Sequence, residues 1–396
     1  MLNRAAAPLL ARVSFLFALA ASAAVFWQPS NDPFGPVQAM ALIIFLPFSA
    51  LVYFVFCAKG NERVPFKMSP VLFPVALYLA AALISVFFSI NKTVSFKYFA
   101  ELFIIIAGAF YIYSVFASRE QGRIAALIIA SHTLMALYAV FQNFGADPFR
   151  WNTDFGGRPM GTIGNPNFFA AQLLISIFMT AGYLFFGARM RLLLAAALFV
   201  QLLAFWYSMV LGAFIGLGAG AALFLVMLAA RHREKIKSIF GSRKLVLAAA
   251  VAAVIAAGLL LPPAVQKIKQ TGEDKKRSIE HRFLMWEVSL LMIKDAPVLG
   301  KGIGSYRFNY PHYQGILLNK PGNEGRDYVV TWMPHQNYLL IAAEKGIIGL
   351  GLFLLAVAVF YYRAFRREVF SGAGPAAFEA GAAAAVTALL GASFFN

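Results

Sequence analysis

The chain has 396 residues, of which 61% are hydrophobic and only 13% charged, and its mean hydropathy is +0.72. A soluble globular chain is nearer half apolar and a quarter charged, so the composition excludes a soluble domain and reads as an all-α polytopic membrane protein. The net charge of +17 does not point to nucleic acid, because most basic residues fall in short loops between apolar runs and bear on orientation among membrane lipids.

In chain order, eleven runs read as transmembrane helices: about 9–28, 37–57, 70–90, 98–117, 124–144, 168–187, 190–208, 210–230, 245–264, 336–362 and 374–395. Each span needs about 20 apolar residues to cross a core about 30 Å thick. Their apolar character is continuous rather than alternating, which makes them helices and not barrel strands. The first has Arg4 and Arg12 before or within it, and Ser22-Ala23-Ala24 runs on into more apolar residues and Trp27, so it reads as a retained span. Length divides the seventh from the eighth, with a turn near Trp206-Tyr207-Ser208. Lys59, Arg63 and Lys67 lie in one loop, Arg119 and Arg123 in another, and Arg189 and Arg191 in a third. With "RHREKIKSIFGSRK" (231–244) and "RAFRRE" (363–368), all fall on one side if the N-terminus is cytoplasmic. Cys57 is the single cysteine, which excludes an intrachain disulfide.

The expected organisation is spans one to nine over residues 1–264, a large periplasmic loop over 265–335, and spans ten and eleven over 336–396. A shorter external loop covers 145–167. The last span barely finishes at "LLGASFFN", and an odd span count puts the C-terminus outside, so truncation of the chain is part of this reading. The large loop carries 11 Lys/Arg and 7 Asp/Glu, a net +4. Long loops escape the positive-inside rule, so this cationic excess is free to serve a ligand.

Three stretches carry candidate chemistry. In "GGRPMGTIGNPNFFAAQLL" (156–174), Asn165 is placed to cap a helix whose first turn holds Pro166 and Asn167. A helix N-terminus binds anions, and Arg158 lies seven residues upstream; the alternative is a turn, a cap and an arginine anchored to lipid phosphate. In "EHRFLMWEVSLLMIKDAPVLGKGIGSYRFNYPHY" (280–313), Phe283, Trp286, Leu290 and Ile293 recur at helical spacing and predict an amphipathic helix on the membrane surface. Arg282 in its first turn has the planar fork that matches phosphate oxygens, or else merely anchors the helix. "GKGIG" lacks the parallel-strand context of a dinucleotide site.

The third stretch is "TWMPHQNYLLIAAEKGIIGLGLFLL" (331–355). His335 follows Pro334 and is expected to start a helix; a neutral imidazole accepts a proton from an alcohol. Asn337 and Tyr338 offer hydrogen bonds beside it. Glu344 lies about 13 Å deeper if the segment is helical, where an ionisable group has a partner or a task. A purely structural histidine is the alternative. Against it, Arg282 and His335 bracket one loop and Arg158 lies on the same face. No metal or cofactor is expected, since His281, His312 and His335 lack ligand-spaced carboxylates or cysteines. His132 and the Lys97–Glu101 pair read as local partners.

These three segments, in this order and with a large loop between the second and third, resemble the O-antigen ligase and polymerase superfamily of bacterial inner-membrane glycosyltransferases. The resemblance covers roughly 35–390. It implies a C-type, metal-independent, inverting transferase of about twelve spans. Such an enzyme moves a glycan from undecaprenyl diphosphate to a lipid A core sugar, a growing polysaccharide or a protein. It also implies that His335 activates the acceptor hydroxyl and Arg282 holds the diphosphate. One departure stands out: in "SMVLGAFIGL" Leu211 occupies the place of a second arginine, a loss of cationic stabilisation that Arg158 or Arg307 would have to replace. Two rivals follow, a lipid-linked sugar flippase and a catalytically inactive homologue.

Overall fold

The computed structural model describes residues 35–60, 69–116, 121–149, 151, 155–187, 190–231, 272–368 and 377–394, together with 11, 13, 14 and 16. Among the described residues the chain is helix and loop without a strand. The helices are α1 (Gly35–Gly60), α2 (Leu72–Phe87), α3 (Lys92–Phe116), α4 (Gln121–Asn143), α5 (Pro166–Phe186), α6 (Arg191–Ser208), α7 (Leu211–Arg231), α8 (Gly272–Asp295), α9 (Tyr306–Leu318), α10 (Asn337–Glu368) and α11 (Ala377–Ala392). Seven of them, α1, α3 to α7 and α10, are long and apolar enough to cross a membrane, and α2 and α11 are shorter apolar helices. Nine expected spans therefore coincide with apolar helices. The run 245–264 lies outside the described residues, as does 9–28 apart from the four positions named.

Small residues let the spans approach closely. The Ala- and Gly-rich α11 seats against α5 and α7. A Cβ added to Gly182 would stand 2.4 Å from the Ala377 carbonyl oxygen, and one on Gly216 2.3 Å from that of Ala388. The end of α5 thus meets the start of α11 and the start of α7 its end; Gly381 lies against Phe178, so α5 runs antiparallel to α11 with its own start toward the end of α11. The Asn337 N–H donates to the Ser393 carbonyl at 2.9 Å, which brings the start of α10 to the same end. The Ile303 N–H donates to Ser85 Oγ at 3.1 Å and adds the end of α2. Gln142 Oε1, at the end of α4, accepts the Met160 and Gly161 N–H groups and ties the 145–165 loop there too.

Helices α8 and α9 lie in the long loop and pack on each other and on the start of α10. Their core includes Leu284, Met285, Val288, Met292, Tyr306 and Tyr310. Burying each of the aliphatic and Met side chains stabilises by roughly 1.5–3 kcal/mol. The stripe expected on the membrane surface lies on the other side of the helix: Phe283 and Leu290 are exposed, and Trp286 and Ile293 partly buried. α8 is thus apolar on two sides, one packed in the loop core and the other, the stripe read from spacing as facing the membrane surface, left largely open.

The glycines of "GKGIG" answer to a close backbone approach. α10 is broken at Gly346, with φ 67° and ψ −173°, a region essentially restricted to glycine. Into this break dock residues 297–302. The Lys301 and Gly302 N–H groups donate to the Ala343 and Glu344 carbonyls at 2.9 Å each, and the Ile347 N–H donates to the Pro297 carbonyl at 2.8 Å. A Cβ on Gly346 would lie 2.1 Å from the Val298 carbonyl oxygen, and one on Gly300 2.3 Å from the Glu344 carbonyl carbon. Gly346→Ala is therefore expected to cost about 2–4 kcal/mol, seen as a lower Tm and faster proteolysis within 296–304. Gly218→Ala, where an added Cβ meets nothing within 4 Å, should change neither.

Candidate active site

His335 sits two residues before α10 and does not start it. Its backbone is left-handed, φ 51°, a conformation in which histidine is among the enriched non-glycine residues. The chain on either side is fixed. Trp286 Nε1–H, one turn beyond Arg282 on α8, donates to the Pro334 carbonyl at 3.1 Å. Gln336 Oε1 accepts the Leu339 N–H and caps α10. Burial lowers the His335 pKa, and the nearby charge of Arg282 lowers it further. The loop helix and the strap before α10 thus bring Arg282 and His335 together, with the imidazole held neutral.

Arg282 is half-buried, and burial lowers its pKa, but a guanidinium stays charged at neutral pH. It makes no hydrogen bond or ion pair among the described residues. Other cations of the loop do: Arg326 Nη1 bonds Glu287 at 2.8 Å, Arg277 lies 3.8 Å from Asp327, and Lys301 pairs with Asp295. His281 also bonds Asp327, at 3.0 Å. Arg158 and Arg307 resemble Arg282 in having no carboxylate partner among the described residues. Arg158 is partly buried, its Nε donates to the Phe155 carbonyl at 2.9 Å, and burial lowers its pKa. Its loop is anchored at Asp147, whose carboxylate accepts from the Phe149 N–H, Gln142, Trp151 and Tyr138. Burial would raise the Asp147 pKa, and these bonds hold it below its ordinary value. Arg307, on α9, stacks on Phe308 at 4.7 Å and has a buried Nε without a partner.

The remaining candidates are engaged inside the protein. Asn165 Oδ1 caps α5 by accepting the Asn167 N–H at 2.8 Å. Asn337 Nδ2 donates to Ser393 Oγ at 3.2 Å, and the Tyr338 hydroxyl donates to the Leu390 carbonyl at 2.8 Å, so both fasten α10 to α11. Glu344 is 5% exposed; Oε1 accepts the Tyr306 N–H at 3.2 Å and Oε2 lies 3.5 Å from Lys345 Nζ. A carboxylate there caps α9, whose own Ser305 makes no side-chain cap. Leu211 is the first residue of α7 and is 68% exposed at this end of the bundle. Trp286 escapes a motif search as a positioning residue; its helical register with Arg282, one turn away, is the signal that could have found it.

The comparisons with known proteins bear on this end of the molecule. Residues 196–354 match the O-antigen ligase family. The matched stretch of the O-antigen ligase type holds Leu211, Arg282, Arg307, His335 and Glu344, while Arg158, Asn165 and Asn167 precede it. A Rickettsia felis protein named "Putative polysaccharide ligase" is 25% identical over 292 residues, a match that spans 71% of this chain and 65% of that protein.

The pairing has a direct test. The imidazole of His335, followed by nitrogen NMR in the detergent-solubilised chain, should titrate below the ordinary histidine value of about 6.5. Arg282→Gln removes the neighbouring positive charge and should move that titration up. An unchanged titration in the variant contradicts the pairing.

Proposed function

We propose that this multi-pass membrane protein transfers a glycan from undecaprenyl diphosphate to an acceptor hydroxyl at the periplasmic face of the inner membrane. The observation that carries the reading is the half-buried, unpartnered Arg282 beside a neutral His335. A guanidinium withdrawn from water without a carboxylate is costly unless an anion completes it, and a base beside an anion site is the arrangement transfer from a diphosphate requires. The match to O-antigen ligases and the name of the Rickettsia felis relative support a polysaccharide as cargo.

In this reading the carrier's prenyl tail lies among the spans and its diphosphate meets Arg282, with Arg158 and the head of α5 as further donors. His335 takes the proton of the acceptor hydroxyl as its oxygen attacks the anomeric carbon. The bond from that carbon to the diphosphate oxygen breaks, and its electron pair stays on the diphosphate, whose charge the arginines stabilise. Configuration inverts, and the proton on His335 passes to solvent. Asn165, Asn337, Tyr338 and Glu344 act as positioning residues that fix the elements around the site.

His335→Ala should lower transfer from purified undecaprenyl-diphosphate glycan by about 100-fold or more, as loss of a general base does. Arg282→Ala should lower it by a comparable factor, both without change in membrane insertion. Retained transfer in both variants refutes the assignment. Leu211 in place of a second cation is the one observation favouring an inactive scaffold, and absence of transfer by the unaltered protein is the result that selects it.

A further inference from the structure

The 326–334 strap, which leads into His335, is held along its length. Arg326 bonds Glu287 and Asn323, Asp327 bonds His281, and Trp286 bonds the Pro334 carbonyl. The buried Gln314 amide, turned so that its oxygen faces the Val329 N–H and its nitrogen the Val329 carbonyl, makes two further bonds of 2.8 and 3.0 Å. Thr331 Oγ1 bonds the Met333 carbonyl at 2.7 Å and closes the turn under Trp332. This fixed backbone nevertheless presents Tyr328, Val330 and Trp332 to the outside, at 61%, 82% and 71% exposure. Large apolar groups clustered in the open mark a binding surface.

Between the strap and α9 lies a cleft of about 400 Å³, lined by these side chains together with Arg307, Phe308 and Pro311. Its charged group is Arg307, which has no carboxylate partner among the described residues and a buried Nε without a partner. Aromatic faces beside a guanidinium suit a sugar, whose ring has apolar C–H faces and whose hydroxyl oxygens accept from a strong donor. The three residues from Trp332 to His335 reach at most roughly 11 Å, so a glycan in the cleft lies within reach of the base.

We infer that this cleft is the acceptor subsite, in which Tyr328 and Trp332 stack on sugar rings of the acceptor glycan and Arg307 holds their oxygens, presenting the reacting hydroxyl to His335. The inference rests on the transfer reading above and adds which substrate lies on which side of the base: diphosphate at Arg282, acceptor sugar at Arg307.

The test uses the full chain in detergent, with core oligosaccharide released from lipopolysaccharide by mild acid as the probe. Saturation-transfer NMR should detect the oligosaccharide on the unaltered protein and on His335→Ala, and should lose it on Trp332→Ala and Arg307→Gln, with Trp332→Phe restoring it. In transfer assays the first two variants should raise the acceptor KM by about 10-fold or more and leave the donor KM unchanged. Trp332 stands at the surface and Arg307 is partly buried, and an unchanged Tm in each variant certifies the fold. A rise in donor KM instead, undiminished oligosaccharide binding in both variants, or displacement of the oligosaccharide by phosphatidylethanolamine–phosphatidylglycerol vesicles overturns the subsite. Loss of binding in the variants of a chain that transfers nothing upholds the subsite and overturns only the transfer reading.

Discussion

The geometry of the site depends on one backbone-to-backbone seam, where residues 297–302 enter the break in α10 at Gly346. Four N–H···O bonds cross it, and the approach is close enough that side chains are excluded at Gly300 and Gly346. The seam fixes the start of α10 against the loop that joins α8 to α9. Glu344 adds to it by capping α9 from α10. Through it, the register of α8, and hence of Arg282 and Trp286, is set relative to the strap that carries His335. The ionisable Glu344–Lys345 pair at the head of a span thus has an architectural reason: its carboxylate joins the loop to the membrane bundle.

Charge is distributed around this seam in two ways. Arg326, Arg277 and Lys301 are neutralised by carboxylates on neighbouring segments and act as clasps. Arg158, Arg282 and Arg307 sit partly buried without such partners among the described residues. Burial without neutralisation raises the local potential and favours an anion. Burial, and after it the charge of Arg282, lowers the His335 pKa, so cation and base coexist instead of competing for a proton. An arriving diphosphate would then strengthen the base by offsetting the charge of Arg282.

The spans were legible because twenty apolar residues in a row have one solution in a bilayer. The Asn165 cap was legible because Asn-Pro-Asn before an apolar run has a local meaning. What could not be read depended on partners distant in sequence. Nothing local shows that Asn337 and Tyr338, beside the histidine, also bond Ser393 and Leu390. Glu344 declares that it needs a partner, but its partner is the backbone of Tyr306. The second apolar stripe of α8, Leu284, Met285, Val288 and Met292, has no local mark, because only contact with α9 and α10 shows that it is the one buried. Gly346 is one glycine among several in an apolar run, and nothing local marks it as the break.

The central claim is that Arg282 and His335 share one anion site. Its most direct measurement is the titration of the His335 imidazole in the full chain while inorganic pyrophosphate is added. An anion bound at Arg282 favours the imidazolium, so the account predicts a saturable upward shift of the His335 pKa that vanishes in Arg282→Gln. A titration indifferent to pyrophosphate, or one that shifts equally in the variant, would contradict it.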